Sequence, residues 1–343
     1  MRRGTATPAA RAFAAGMAAA GLLLLGGCSG VQHPLDPWGV QAERIAALAW
    51  LLFVGGTAVF LLTMGLLAAA LLAPDAWRRA MGTRGFVLAL GFAFPVVVLA
   101  ALLVHSLGVS RALTLPAATA DGTGLPPLRV EIVARQYWWE MRYTDLGEGA
   151  VTANELRLPV GRDVELTLTS GDVIHSVWIP NLHGKMDMIP GRANTQRIRA
   201  DRPGPMRGQC TEFCGTQHAL MAFAVVAQEP AEFEAWVARQ RAPVGPPATE
   251  EHARGMRVFG EAGCGACHAV RGTEWAARIA PDLSRVGSRL TLAAGALDNN
   301  RGALAGWIAG AQDIKPGNHM PSFGRALEGD DLLALAAWLE SLR

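Results

Sequence analysis

The sequence carries little charge and very little cysteine. Only 17% of its 343 residues are charged, against 51% hydrophobic. The 31 basic and 29 acidic side chains nearly cancel, to a formal net charge of +2. That balance offers none of the cationic excess a nucleic-acid partner demands. The five cysteines, Cys28, Cys210, Cys214, Cys264 and Cys267, each fall in a separate local context, so no disulfide framework remains to be proposed. Charge is absent altogether from two long runs, Ile45 to Ala73 and Phe86 to Val109. Runs of this length argue against a buried core hairpin and predict two membrane spans. A chain of this length is expected to hold two or three units.

Between the two runs lie Arg78, Arg79 and Arg84. A short basic loop is retained in the cytoplasm, so everything from about Ser110 onward is expected outside it. Residues 1–27 read as an export signal, with Arg2, Arg3 and Arg11 ahead of an apolar stretch. Leu25-Gly26-Gly27-Cys28 resembles a bacterial lipobox, which would make Cys28 a lipidated new N-terminus; the alternative is an ordinary signal peptide with an incidental cysteine. His105, near the outer end of the second run, reads as a packed or interfacial residue.

The chemistry concentrates in Cys210-Thr-Glu212-Phe-Cys214-Gly-Thr-Gln-His218-Ala-Leu-Met221, with His175 upstream. Thiolate, imidazole and thioether form a soft ligand set suited to copper in electron transfer. Two thiolates on one tight loop can bridge two metal ions and leave one histidine for each. The alternatives are a disulfide or a zinc site, and a zinc site has no need of Met221 or Glu212. Further on, Cys264-Gly-Ala-Cys267-His268 has the spacing of covalent c-type haem attachment, with His268 as an axial ligand. In Lys315-Pro-Gly-Asn-His319-Met320-Pro321, Met320 is the expected sixth ligand and His319 its weaker competitor.

Taken together, these motifs resemble subunit II of cytochrome c oxidases of the CuA type, with a cytochrome c domain fused at the C-terminus as in bacterial caa-type haem–copper oxidases. The resemblance implies a binuclear copper centre bridged by Cys210 and Cys214. His175 and His218 would each bind one copper, with Met221 and the Glu212 carbonyl as weaker ligands. It also implies a magnesium ion reached by the Glu212 carboxylate at the border with subunit I, where a hard oxygen ligand is suitable. The cluster Tyr137, Trp138 and Trp139 would be where electrons enter the copper domain. The segment His183 to Arg192, with Met186 and Met188, would face subunit I. One departure stands out: many relatives carry a glutamate early in the second span, whereas Phe86 to Pro95 holds no carboxylate and Leu88 stands near that place. The proton-path role of that glutamate is not carried over.

The expected fold class is a multidomain membrane protein. A transmembrane hairpin occupies 28–109, with spans at about 45–73 and 86–109. An all-β unit follows over 124–229, read from alternation such as Leu128, Val130, Ile132 and Val164, Leu166, Leu168. The resemblance makes it a cupredoxin-like Greek-key barrel. A short helix and a proline-rich, semi-rigid linker fill 230–249. An all-α class I cytochrome c domain closes the chain over 250–343. The expected function is electron input, from cytochrome c or a quinol–cytochrome c reductase, through the chain's own haem c and copper pair to subunit I. There oxygen would be reduced to water with proton pumping; this chain has no ligand set of its own for that chemistry. Expected partners are subunit I, further oxidase subunits and membrane lipid, in a bacterial plasma membrane with both outer domains outside. Two alternatives share nearly all these features: the small subunit of a copper-containing nitric oxide reductase, and a membrane-anchored electron carrier without a catalytic partner. Nitrous oxide reductase would require a large propeller domain for which no stretch is available.

Overall fold

The computed structural model describes residues 30–114, 124–147 and 149–343. The export segment and Cys28 lie outside the described residues. Two long helices come first: α1, Val40–Leu72, and α3, Arg84–Leu113, with a short α2, Asp75–Met81, between them. Both long helices are apolar enough to cross a membrane, and their large side chains, among them Trp50, Phe53, Phe60, Phe92 and Val97, stand exposed. Such all-round apolar surface suits lipid rather than water. Arg44 ties the pair by donating to the Ala112 carbonyl at 2.7 Å. In α3 a π-helical turn covers Ala89–Ala93 just before Pro95. Proline cannot donate to the carbonyl four residues back, and a wider turn absorbs that defect.

Helix α1 starts five residues before the uncharged run. Its first turns pack on protein, with Gln41, Ala42 and Ala46 buried. The strap preceding it is fixed to the β domain: Trp38 N–H donates to Asn181 O at 2.7 Å, and Asp201 N–H to Trp38 O at 2.7 Å. The segment leading into α1 is therefore hydrogen-bonded to the β domain.

That domain is a cupredoxin-like β-sandwich of two five-stranded sheets. Strands β1 to β5 are Leu128–Arg135, Trp138–Tyr143, Val151–Ala153, Glu155–Pro159 and Val164–Ser170. Strands β6 to β10 are His175–Trp178, Met186–Met188, Asn194–Ile198, Gly204–Cys210 and Ala222–Gln228. The sheet orders are β3-β2-β1-β5-β8 and β4-β10-β9-β6-β7. Strand β1 runs antiparallel to β2 and parallel to β5. Inward positions Leu128, Val130, Ile132, Val164, Leu166 and Leu168 are all buried, as period-two alternation requires. Helix α4, Pro230–Arg241, adds Phe233, Trp236 and Val237 to this same core. Tyr143 meets the Trp236 ring at 5.1 Å and donates its hydroxyl to Arg157 O. The β core thus continues past residue 229.

A second core belongs to the C-terminal unit, built from α5, Glu250–Glu261, α6, Arg301–Ile314, and α7, Gly329–Ser341. Thr249 caps α5 by accepting from His252 N–H. Helices α5 and α7 cross at Gly255, where a Cβ would strike the Ala334 carbonyl. Phe259, Trp275 and Trp338 meet in tilted and edge-on contacts beside that crossing. Residues 242–249 do not hang free between the domains. Val244 N–H donates to Arg271 O at 2.8 Å, and Arg285 reaches Arg239 O and Ala242 O, both at 2.8 Å.

Candidate metal centre and haem cavity

The sulfur-rich loop joins the end of β9 to the start of β10, at one end of the sandwich. Its two ends are pinned together, because Cys210 N–H donates to Met221 O at 2.9 Å. Thr211 N–H donates to Ser176 O at 3.1 Å, which holds the loop beside the strand that carries His175. At Gly215, with φ of +128°, the loop turns so close to Tyr137 that a Cβ would meet the phenol oxygen.

These constraints gather the donor atoms. Cys210 Sγ lies 3.8 Å from Cys214 Sγ and 3.8 Å from His175 Nδ1. Cys214 Sγ lies 3.7 Å from His218 Nδ1 and 3.8 Å from Met221 Sδ. The Glu212 carbonyl is 3.2 Å from Cys210 Sγ. A disulfide would need sulfurs about 2.05 Å apart, and both cysteines are free thiols. His175, Cys210 and Cys214 are buried and offer ligand atoms within 4.8 Å of one another. The thiols act as a pair sharing a proton: hydrogen bonding with Cys214 holds Cys210 well below the ordinary thiol range, while the same contact pushes Cys214 up. Metal binding displaces protons from such a set.

His175 is oriented from behind. Its Nε2 donates to Asp172 Oδ1 at 2.8 Å, which leaves Nδ1 facing the sulfurs. Burial, the largest single influence, disfavours a charged imidazole, but the hydrogen bonds and charges of Asp172 and Cys210 together outweigh it and the His175 pKa is raised. Asp172 is held in turn by Gln136 N–H at 2.6 Å. Gln136 Nε2 also donates to the Cys214 carbonyl at 2.5 Å.

The aromatic cluster divides. Trp139 is fully buried, its ring 5.1 Å from Phe223 and 6.2 Å from His175, so no external donor can touch it. Tyr137 and Trp138 instead line a cavity of about 490 Å³ shared with the C-terminal unit. Cys264, Cys267, His268, His319 and Met320 line the same cavity. His268 Nδ1 donates to Pro281 O at 2.7 Å, turning Nε2 toward the cavity. Burial lowers its pKa, which favours the neutral imidazole that binds iron. Met320 packs on the helical core, whereas His319 is exposed.

Three cationic residues were not singled out by motif. Arg135 and Arg289 line the cavity, and the Nε of each is buried without a hydrogen-bond partner among the described residues. Two orphaned donors on an apolar cavity fit a large apolar group that carries acidic substituents, as haem does. Lys315 is the third, buried where the two domains meet. Only proximity in space identifies them. Outside the cavity lining, the Glu212 carboxylate meets Lys185 Nζ at 3.3 Å. Nearby, Met188 is buried in β7 and His183 Nδ1 pairs with Gln196.

Two families match along the chain. Residues 150–228 match the family described as cytochrome c oxidase subunit II, periplasmic domain, and residues 252–343 match cytochrome c. Cytochrome c oxidase subunit 2 of Alkalihalophilus pseudofirmus is 40% identical over 214 residues, covering 62% of this chain and 61% of that one. The Bacillus subtilis protein of the same name is 34% identical over 225 residues, covering 63% and 62%. The chain therefore spans about six-tenths of the length of the curated relatives it matches. A solved periplasmic domain of subunit II from Bradyrhizobium japonicum is 31% identical, covers 34% of this chain and 96% of that one, and has a TM-score of 0.32. Two apolar helices, a cupredoxin-like sandwich that matches the cytochrome c oxidase subunit II periplasmic-domain family over 150–228, and a helical unit that matches the cytochrome c family over 252–343 follow one another in this order along the chain.

Proposed function

We propose that this chain is the electron-input subunit of a haem–copper oxidase. It takes electrons from a c-type cytochrome or a quinol–cytochrome c reductase at its haem domain. It delivers them through the copper domain to subunit I, which reduces oxygen and pumps protons. The observation that carries this reading is the convergence of His175, Cys210, Cys214, His218, Met221 and the Glu212 carbonyl beside a cavity walled by both domains. A copper pair and a covalent haem c, when bound, supply one-electron carriers at these two places. The chain's residues do the rest. Cys264 and Cys267 would anchor the haem, His268 and Met320 would fill its axial positions, and Arg289 would face its acidic groups. The buried β scaffold holds the copper ligands rigid, which limits rearrangement as charge changes. The Glu212 carboxylate, beside Lys185 and outside the cavity lining, is suited to a magnesium ion at the subunit I border.

The test is to purify the membrane complex through this chain and feed it reduced cytochrome c. Oxygen consumption by a complex that contains a many-span haem subunit is expected. Consumption of nitric oxide alone would assign the chain to a nitric oxide reductase, and isolation without such a partner would leave it an electron carrier.

Two narrower expectations follow. Asp172→Ala removes the acceptor that orients His175, so copper affinity should fall roughly 10–100-fold, measured by competition with a chelator. Unchanged affinity would mean that β6 alone orients the ring. For topology, the basic loop at Arg78 and Arg79 places α2 in the cytoplasm and the C-terminus outside. A reporter active only outside the cytoplasm should work after Arg343 and fail after Arg79. The reverse pattern would put copper loading and haem attachment on the wrong side.

A further inference from the structure

Lys315 follows the last turn of α6 and is 2% exposed. Its ammonium donates to Leu220 O at 2.9 Å, Ala293 O at 3.0 Å and Tyr137 O at 3.1 Å. An ammonium has three donors and no acceptor, and here all three are used on backbone carbonyls. Tyr137 and Leu220 belong to the copper domain, whereas Ala293 belongs to the haem domain. Among the described residues, no carboxylate lies within ion-pair distance of it. Burial pulls its pKa down to about 8, opposed by the field of Cys214. A buried cation without a counter-ion is costly to fold around, which calls for a reason to keep it.

The surroundings are built to meet it. Ala293 and Ala294 take left-handed conformations, with φ of +51° and +59°, although neither is glycine. That turn aims the Ala293 carbonyl at Lys315, while the Ala294 carbonyl accepts from Ala222 N–H of the copper domain at 2.9 Å. Strained alanines persist only where the surroundings over-determine them. Directly after Lys315, the Pro316 carbonyl accepts from Gln217 Nε2 at 2.7 Å. Gln217 sits between Cys214 and His218, and Pro316 begins the loop that leads to Met320. The haem-ligand loop is thus bonded to the copper-ligand loop, with Lys315 at the join.

We propose that Lys315 is a positioning residue that clamps the haem domain on the copper-ligand loop and biases the copper pair toward its reduced state. The proposal rests on the reading that the haem domain feeds the copper pair. A fixed positive charge beside Leu220, one residue from Met221, stabilises the form that has gained an electron. The three-carbonyl clamp keeps the distance between the two carriers constant, so transfer within the chain does not wait for docking.

The test uses the full chain loaded with haem and copper. Lys315→Met keeps the stem and removes the charge, whereas Lys315→Arg keeps the charge. In Lys315→Met the reduction potential of the copper pair should fall, and the fast phase of copper reduction after photoreduction of the haem should be lost. Lys315→Arg should restore the potential. A potential and a fast phase both equal to wild type in Lys315→Met would overturn the proposal. Gln217→Leu, which cuts the second tie and leaves the charge, should lose part of the fast phase without moving the potential. Should Lys315→Met fail to accumulate, an unaltered fast phase in Gln217→Leu together with an unaltered potential in a Lys315→Gln chain would overturn it instead. If the wild-type chain itself shows no transfer from haem to copper, the input reading fails, while the potential of Lys315→Met still decides the role of the lysine.

Discussion

Cys214→Ser should abolish the copper pair. The wild-type chain is expected to bind two coppers at this site and, when oxidised, to give the seven-line hyperfine pattern of one electron shared by two nuclei. The reason is the place of Cys214 at the centre of the cluster. Its sulfur lies within 3.8 Å of Cys210 Sγ, His218 Nδ1 and Met221 Sδ. Cys210 touches as many, through Cys214 Sγ, His175 Nδ1 and Glu212 O, so the two sulfurs share the centre. A serine hydroxyl is hard and protonated at neutral pH, so it cannot replace a soft bridging thiolate. Copper affinity should fall by more than the roughly 10–100-fold that loss of a supporting hydrogen bond costs. Any copper that remains should give a four-line signal from a single nucleus. The haem spectrum serves as a folding control, because Cys264, Cys267 and His268 lie in the other core. A seven-line pattern that survives in Cys214→Ser would rule out the bridge.

Much of this architecture is legible in sequence because its determinants are local. The spans follow from uncharged runs, the haem motif from five adjacent residues, and the copper loop from one dodecapeptide. His175 is separated from that loop by 35 positions, yet its resemblance to a known family supplies it. What local pattern cannot show is where two domains touch. In Lys315-Pro-Gly-Asn-His319-Met320 the lysine reads as an ordinary loop residue, and only folding buries it against Tyr137 and Leu220. Arg135 and Arg289 likewise gain meaning only from the cavity they share. The run Tyr137-Trp138-Trp139 looks uniform, but strand alternation sends Trp139 into the core and leaves Trp138 on the cavity wall. Residues 242–249 read as a semi-rigid linker by their prolines, whereas Arg271 and Arg285 fasten the N-terminal end, from Arg239 to Val244, to the haem domain. A composition rule gives the stiffness of a linker and takes no account of what packs on it.

Met320→His should keep the haem and change its potential. Covalent attachment would rest on Cys264 and Cys267 in the proposed reading, and His268 is fixed by Pro281 O, so none of the anchoring is touched. Met320 reaches the cavity from a loop braced by Gln312, whose Nε2 donates to Met320 O at 2.7 Å, and by Asn318, whose Oδ1 accepts from Met320 N–H at 2.7 Å. That bracing should hold a substituted imidazole near the same place. Thioether ligation favours the ferrous state and a second imidazole favours the ferric state. The haem potential should therefore drop, by on the order of 0.1–0.3 V within the roughly 0.8 V range that axial ligands set. Turnover with a high-potential cytochrome donor should slow, because electrons then enter the haem domain uphill. Reduction of the copper pair by a small artificial donor should change much less, since the cluster around Cys210 and Cys214 is untouched. The substitution is a sharper test than removing residues 250–343, which would strip the cover from Tyr137 and Trp138 and leave Glu155 without the Leu290 N–H that it accepts at 2.8 Å. A Met320→His chain with wild-type potential and wild-type donor-driven turnover would show that Met320 is not the ligand. A lowered potential with unchanged turnover would show instead that electrons reach the copper domain without passing through the haem.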